Sequence, residues 1–328
     1  MQRVARHGRS RYGYLVVRPW LKGLAFAGCA LALTLWAIDG EAKLSNAWVD
    51  VTTTQSETGC AVDPRTMTAA GCSILRQDTA LAADPEPGRW GKIECAADSR
   101  YRHMITGGDS HPKTNGARQR NSAYRRLTVF DGDDVYGERC ELGRNTHTNG
   151  ENAPGQTSGT FALYRQGEHK ITFFSQRYST GFDVNANAWQ QVAQMKQAQP
   201  YADAVPDGVA LELQVFRGRL RLLTFWTTKW STAAPAKNVW VRYALDVVYS
   251  ADPNIGKVKV YVDRNGDGDA LDRGERSPMI TGQTLGAESS TGQPIPSFLM
   301  VGIYHDRSIN CQPPTGCSVD IDNAQVVG

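Results

Sequence analysis

From about residue 91 onward, apolar and polar side chains alternate along short runs, and this period of two is the feature that most restricts the fold. Successive side chains of a β-strand point to opposite faces, so the alternation predicts strands with one buried face. Turn-forming residues separate the runs. The clearest runs are TFALYR, HKITFFSQRYS, VALELQVF, RLRLLTFWTT, NVWVRYALDVVYS, KVKVYVD, FLMVGIYHD and SVDIDNAQVV. We therefore predict an all-β fold, a two-sheet antiparallel sandwich.

Two details of this pattern bear on the architecture. VALELQVF and RLRLLTFWTT predict a hairpin that turns at Arg217 and Gly218. The segment NAWQQVAQMKQAQ is compatible with a helix by propensity and with a strand by its alternation. No linker interrupts residues 91–328, so we expect one domain there, preceded by a loop-rich N-terminal segment at 43–90.

The first 42 residues differ from the rest of the chain. An arginine-rich stretch without acids precedes Leu24–Ile38, fifteen residues that carry no charge. This length suits the core of a signal peptide better than a membrane span. We predict a signal peptide at 1–42 and a secreted, extracellular or periplasmic protein with no membrane attachment after cleavage.

The basic excess of the chain lies in this leader. Of 36 Lys+Arg and 33 Asp+Glu, six and two lie in residues 1–42, which leaves the remainder with 30 against 31. A nearly neutral chain argues against nucleic acid as a partner.

Seven cysteines fit an exported protein, and six follow the leader. Local pairing of Cys60 with Cys72 and of Cys311 with Cys317 is our expectation, which leaves Cys95–Cys140. The histidine and cysteine spacings match no zinc motif.

Three short segments in the predicted strands carry candidate chemistry: Arg139-Cys140-Glu141-Leu142, Gln194-Met195-Lys196 and Gly302-Ile303-Tyr304. In this order they resemble the R-x-E-L, Q-x-H and G-x-Y segments of the heparin lyase I and glucuronan lyase group. The resemblance covers about residues 90–328, and alginate lyases of the same fold share a comparable trio. It implies a β-jelly-roll (concanavalin A-like) fold. Lys196 occupies the position where the group commonly has His.

The resemblance implies a polysaccharide lyase that cleaves a uronic-acid polymer by β-elimination. Arg139 and Gln194 would neutralise the uronate carboxylate, Tyr304 would be the acid and, in a syn reaction, also the base. Lys196 would be the base or an electrostatic contact, and Glu141 would orient Arg139. The open space that Gly302 leaves beside the Tyr304 phenol would suit a ligand.

Further basic residues predict contacts to an anionic polysaccharide, and the stretch from Lys113 to Arg126 contains no acid. We take the polymer contacts to be Arg144, Lys113, Arg118 and Arg120.

The segment DRNGDGDALDRGE predicts a structural Ca²⁺ site, because alternate oxygen side chains and Gly268 match the opening of a calcium loop. Its candidate ligands are Asp263, Asn265, Asp267, Asp269, Asp272 and Glu275. There is no flanking helix pair, so it is not an EF-hand.

Four alternatives remain open at this point. They are a non-catalytic carbohydrate-binding module of the same fold, an alginate-lyase-like specificity, a glycoside hydrolase and an adhesive surface protein. The E-x-D-x-x-E pattern of sandwich hydrolases is absent from the sequence, which disfavours hydrolysis. We expect a monomer.

Overall fold

The computed structural model describes residues 59–72, 74–77, 91–97, 100, 103–106, 123–133, 137–144, 163–198, 204–206 and 208–328. The chain divides into two compact units, Met1–Lys43 and Leu44–Gly328, and every described residue belongs to the second. The predicted signal peptide lies outside the described residues. Within them, no helix is long and apolar enough to cross a membrane.

The described part of the chain is built from β-strands. In chain order they are β1 (Ala61–Asp63), β2 (Thr68–Ala70), β3 (Ile74–Gln77), β4 (Gly91–Cys95), β5 (His103–Thr106), β6 (Ala123–Val129), β7 (Glu138–Arg144), β8 (His169–Tyr178), β9 (Gln190–Gln197), β10 (Ala204–Val205), β11 (Leu211–Phe216), β12 (Arg219–Thr224), β13 (Thr227–Ala233), β14 (Trp240–Val248), β15 (Lys257–Asp263), β16 (Ile280–Thr281), β17 (Ala287–Glu288), β18 (Ser297–His305) and β19 (Cys317–Val327).

Two large antiparallel sheets contain most of these strands. The seven-stranded sheet has the order β13-β12-β11-β9-β18-β7-β4, and the eight-stranded sheet includes the path β16-β15-β14-β8-β19-β6-β5, with β3 paired to β19. Consecutive strands β6, β7, β8 and β9 alternate between the sheets, as do β18 and β19. This exchange gives the jelly-roll form of a two-sheet sandwich and confirms the predicted fold class.

The core lies between the two sheets because each strand turns one apolar row inward. Leu142 of β7 and Ile303 of β18 line it from one sheet, and Phe174 of β8 and Tyr243 of β14 line it from the other. The Phe174 and Tyr243 rings stack with centroids 5.0 Å apart. Fully burying an apolar side chain of this size stabilises the fold by about 1.5–3 kcal/mol.

Three disulfides have the pairing that we expected: Cys60–Cys72, Cys95–Cys140 and Cys311–Cys317. The first closes the β1–β2 hairpin, which packs on Ile171 and Phe173 at the outer face of the eight-stranded sheet. The second joins β4 to β7, and the third closes the connection between β18 and β19. Three disulfides are typical of an exported chain.

Of three local predictions from the sequence, one is correct and two are wrong. NAWQQVAQMKQAQ contains strand β9, so the strand alternative is correct. RLRLLTFWTT is wrong as one strand, because Phe225 and Trp226 have φ angles of 44° and 65° and turn the chain from β12 into β13. TFALYR forms no strand in its described part, where Tyr164 makes an isolated bridge to Ser297.

Candidate functional site

The outer face of the seven-stranded sheet carries the polar residues that the sequence selected. On β7, Cys140 and Leu142 face the core, so Arg139 and Glu141 face outward. The same alternation turns Gln194 and Lys196 of β9 outward, because Ala193 and Met195 belong to the core. Alternation therefore gives these polar side chains a common face.

Strand pairing then brings them side by side. Tyr304 of β18 lies opposite Arg139 on β7 and opposite Gln191 on β9. Gly302 lies opposite Glu141, and a register shift between Val301 and Tyr304 on the β9 side interrupts the ladder next to it. We call Glu94, Arg139, Glu141, Gln194, Lys196 and Tyr304 the sheet-face cluster.

Tyr304 is held between a cation and a second ring. The Arg139 guanidinium lies 3.8 Å from the centre of the Tyr304 ring. The Trp189 ring packs edge-on against the same ring, with the two ring centres 4.7 Å apart. Gly137 adds a steric limit: an ideal Cβ there would lie 2.7 Å from Tyr304 Cε2. These contacts fix the position of the phenol.

Two carboxylates hold the cations and the amide of the cluster. Glu94 of β4 accepts a short hydrogen bond from Arg139 Nη1, and its other oxygen lies 3.6 Å from Lys196 Nζ. Glu141 lies 3.8 Å from Arg139 Nη1 and accepts from Gln194 Nε2 at 2.8 and 2.9 Å. Glu94 is thus the hydrogen-bond partner of Arg139, while Glu141 bonds Gln194 in addition to pairing with Arg139.

Burial and charge act on these groups in opposite directions. Burial would lower the pKa of Arg139, but the Glu141 and Glu94 carboxylates raise it on balance, so the guanidinium stays charged. Burial raises the pKa of Glu141, and Glu94 adds to the rise, whereas Arg139 and Gln194 oppose it. The ionisation of both groups thus depends on their neighbours as well as on burial.

Sequence reasoning missed the continuation of this face onto β11 and β12. Glu212 lies opposite Gln194, and Gln214 lies opposite both Gln191 and Arg221. Arg221 Nη2 donates to Gln214 Oε1 at 2.7 Å. The alternation in VALELQVF already turned Glu212 and Gln214 away from the core, and this was the available signal. Glu94 was missed as well, although the expected Cys95–Cys140 disulfide places the residue before Cys95 next to β7.

Gly302 does not open space beside the phenol, contrary to our expectation. An ideal Cβ at Gly302 would lie 2.3 Å from the Cys140 carbonyl oxygen and 2.7 Å from Glu141 Cα, so it would point at the β7 backbone. Its φ of 152° also favours glycine. Gly302 is required for close strand approach beside Glu141.

Several predicted polymer contacts cannot be assigned to this face. Lys113, Arg118 and Arg120 lie outside the described residues, as does the side chain of Arg144, whose backbone ends β7. The acid-free stretch from Lys113 to Arg126 ends in β6, which belongs to the eight-stranded sheet. There Arg126 Nε donates to Asp320 Oδ1 at 2.7 Å on the outer face of that sheet.

The candidate calcium loop follows β15. Asp263 is fully buried and accepts from the Gly266 and Gly268 amides at 2.8 and 3.0 Å. Glu275 accepts from the Arg264 and Asp272 amides at 3.0 and 3.1 Å.

Burial and the neighbouring acids raise the pKa of Asp263 to about 7. A buried carboxylate of this kind fits a hard cation, although the loop amides already bind its oxygens. The side chains of Asn265, Asp267 and Asp269 cap amides within the loop in the same way.

In the described part of the chain, one group of at least three His, Cys, Asp or Glu side chains lies close enough to hold a metal: His305, Cys311 and Cys317. The two cysteines form a disulfide, so their sulfur atoms are not thiolate ligands. His305 is buried and its Nε2 lies 3.2 Å from Cys311 Sγ.

No protein-family model matches the sequence, and no curated protein matches it either. Solved structures with a similar chain path include the alginate lyase Aly36B, with 10% identity over 75% of this chain and 92% of that chain and a TM-score of 0.43. A family 7 alginate lyase solved with substrate is 11% identical over 68% of this chain and 82% of that chain, with a TM-score of 0.36.

A glycoside hydrolase family 131 β-glucanase from Podospora anserina has 15% identity over 69% and 84% of the two chains, with a TM-score of 0.33. All three TM-scores lie below 0.5, so the substrates of these enzymes say nothing about what this chain binds.

Proposed function

We propose that this protein is a secreted polysaccharide lyase that cleaves a uronic-acid-containing anionic polymer by β-elimination. The observation that carries the proposal is the sheet-face cluster: Arg139 lies over the Tyr304 ring, and the carboxylates that contact Arg139 also contact Gln194 and Lys196. A tyrosine stacked under a guanidinium is suited to proton transfer beside a carboxylate that the guanidinium binds.

The reaction begins with recognition of the uronate carboxylate. Arg139 and Gln194 donate hydrogen bonds to it, which withdraws charge and makes the proton on C5 more acidic. Removal of that proton leaves an electron pair that forms the C4–C5 double bond. The C4–O4 bond breaks, and the leaving O4 oxygen takes up a proton.

We assign both proton transfers to Tyr304, in a syn elimination. Its phenolate takes the C5 proton, and the resulting phenol gives it to O4. The Arg139 guanidinium over the ring stabilises negative charge on the phenol oxygen. Lys196 contacts Glu94, and because a carboxylate favours the ammonium form, we assign Lys196 to electrostatic binding of the polymer rather than to the base.

A panel of polyuronates tests the proposal. We expect purified protein to release an unsaturated product, detected by its ultraviolet absorbance, from at least one of glucuronan, heparin, alginate and pectate. Tyr304→Phe should lower kcat by about 10²–10⁴-fold. Tyr261→Phe, on the outer face of the other sheet, is the matched control and should keep full activity.

Two outcomes would contradict this assignment. Full activity of Tyr304→Phe removes Tyr304 from the mechanism. Absence of unsaturated product from every polymer, with retained binding, favours the non-catalytic carbohydrate-binding module.

The finer substrate assignment follows the motif order. We propose glucuronan or a glycosaminoglycan as the polymer, with an alginate-lyase-like specificity as the alternative, and the same panel separates them.

Glycoside hydrolysis is the second candidate, and a specific observation favours it. Glu141 and Glu212 lie on one sheet face and are both buried, but Glu141 accepts from Gln194 and pairs with Arg139, whereas Glu212 has no hydrogen-bond partner among the described residues. A pair of carboxylates with different environments is what a glycosidase requires. New reducing ends without ultraviolet absorbance would establish hydrolysis in place of elimination.

We also propose that the loop Asp263–Glu275 binds a structural Ca²⁺ ion. The buried Asp263 carboxylate supports this, because a bound cation would compensate its charge. Binding would require the loop to bring its carboxylates closer together than they lie in this structure.

A further inference from the structure

The Gln194 side chain has a buried carboxylate on each side of it. Glu141 accepts from Gln194 Nε2 through both oxygens, at 2.8 and 2.9 Å. Glu212 lies directly opposite Gln194 in the β9–β11 pairing and is 1% exposed. Among the described residues, neither Glu212 oxygen has a hydrogen-bond partner.

The Gln194 nitrogen carries two N–H groups; it is turned to Glu141, and neither N–H group reaches Glu212. This leaves the carbonyl oxygen of Gln194 to pair with Glu212. A carbonyl oxygen can pair with Glu212 only if Glu212 carries a proton. A buried ionised carboxylate without a partner is strongly disfavoured.

The charged groups around Glu212 do not provide that partner. Arg221 of β12 donates to Gln214 instead, and Lys196 of β9 contacts Glu94. Glu141 of β7 adds a second negative charge. Burial raises the pKa of Glu212 to about 7, with only partial offset from Gln214 and Arg221.

We propose that Glu212 is a positioning residue that acts through Gln194: as a neutral acid it donates a hydrogen bond to the Gln194 carbonyl. This bond keeps Nε2 toward Glu141 and toward the uronate carboxylate. It also keeps a second negative charge out of a site for an anionic polymer. The inference rests on the proposed function, and it assigns Glu212 the control of anion binding.

The consequence is a pH-dependent KM. At pH 8, about one tenth of Glu212 remains protonated, so the KM for a polyuronate should be about tenfold higher than at pH 6. Glu212→Gln is neutral at every pH and keeps an N–H donor. Its KM should therefore change less than about twofold over the same range.

The experiment measures KM at pH 6 and pH 8 for the wild type, Glu212→Gln and the control Glu288→Gln. Glu288 lies on β17 and accepts from Thr291 at the surface. The control should keep the tenfold ratio. An infrared titration without substrate compares the carbonyl band of protonated carboxyl groups in the wild type and in Glu212→Gln. The wild-type-minus-variant difference should contain a band that disappears near pH 7, and it removes the contribution of Asp263, whose pKa is also raised to about 7.

The outcomes separate the two proposals. An active enzyme whose KM ratio is unaffected by Glu212→Gln overturns the positioning role and leaves the lyase assignment intact. A titrating difference band in a protein that neither binds nor cleaves any polyuronate overturns both. A missing difference band shows that Glu212 is ionised and overturns the positioning role by itself.

Discussion

Gly137 sets the position of the Tyr304 ring, and its replacement gives a quantitative test of the site geometry. Its φ of 110° is strained for any residue with a Cβ, which costs about 1–3 kcal/mol. The Cβ of Gly137→Ala would lie 2.7 Å from Tyr304 Cε2. Carbon atoms pack at about 3.5–4.0 Å, so the ring must retreat by about 1 Å.

This retreat separates the ring from the Arg139 guanidinium, an interaction worth about 0.5–2 kcal/mol. We therefore expect Gly137→Ala to lower the free energy of unfolding by about 1.5–5 kcal/mol in urea denaturation. A displacement of about 1 Å at a reacting group should also lower kcat/KM by about 100-fold.

A control and a double-mutant cycle isolate the steric contribution. Gly132 has a φ of 84° and no atom within 4 Å of its ideal Cβ, so Gly132→Ala should show the backbone strain alone and keep activity. In a Tyr304→Ala background, Gly137→Ala should cost about 0.5–2 kcal/mol less than in the wild type. Zero coupling together with full activity of Gly137→Ala would refute the proposed role of this contact.

Two further predictions concern charged groups. Glu94→Gln should lower the free energy of unfolding by about 3 kcal/mol, measured by urea denaturation, because it leaves Arg139 and Lys196 without a carboxylate that both contact; unchanged stability would contradict this role. Excess chelator should lower Tm by about 5–10 °C if the Ca²⁺ concentration was about 100-fold above Kd, and Asp263→Asn should abolish the difference. Identical melting curves with Ca²⁺ and with chelator would exclude a stabilising ion.

The sequence predicts β8, β14, β15, β18 and β19 correctly, because an alternating or apolar run marks each of these strands. It does not predict the turn between β12 and β13, because Phe225 and Trp226 adopt positive φ without a glycine or asparagine to signal it. Thr224 pairs with Thr227, so Phe225 and Trp226 form a two-residue hairpin turn, a turn type that favours positive φ at both positions.

The candidate site shows the same division. Motif order selected residues on β7, β9 and β18, which the structure brings onto one face. Glu94 and Glu212 carry no motif and join the face through strand pairings; the expected Cys95–Cys140 disulfide was a sequence signal for Glu94, and Glu212 had no such signal. The function of a polar position on a strand thus depends on its neighbours across the sheet.

The Cys95–Cys140 disulfide links two chain neighbours of the sheet-face cluster, since Glu94 precedes Cys95 and Arg139 precedes Cys140. β4 is the edge strand of its sheet, so this bond is the covalent restraint that keeps Glu94 beside Arg139. In a reducing compartment the edge strand would lack this restraint. Disulfide formation during folding therefore secures the contact between Glu94 and Arg139. Protein for activity measurements should be produced with this bond formed.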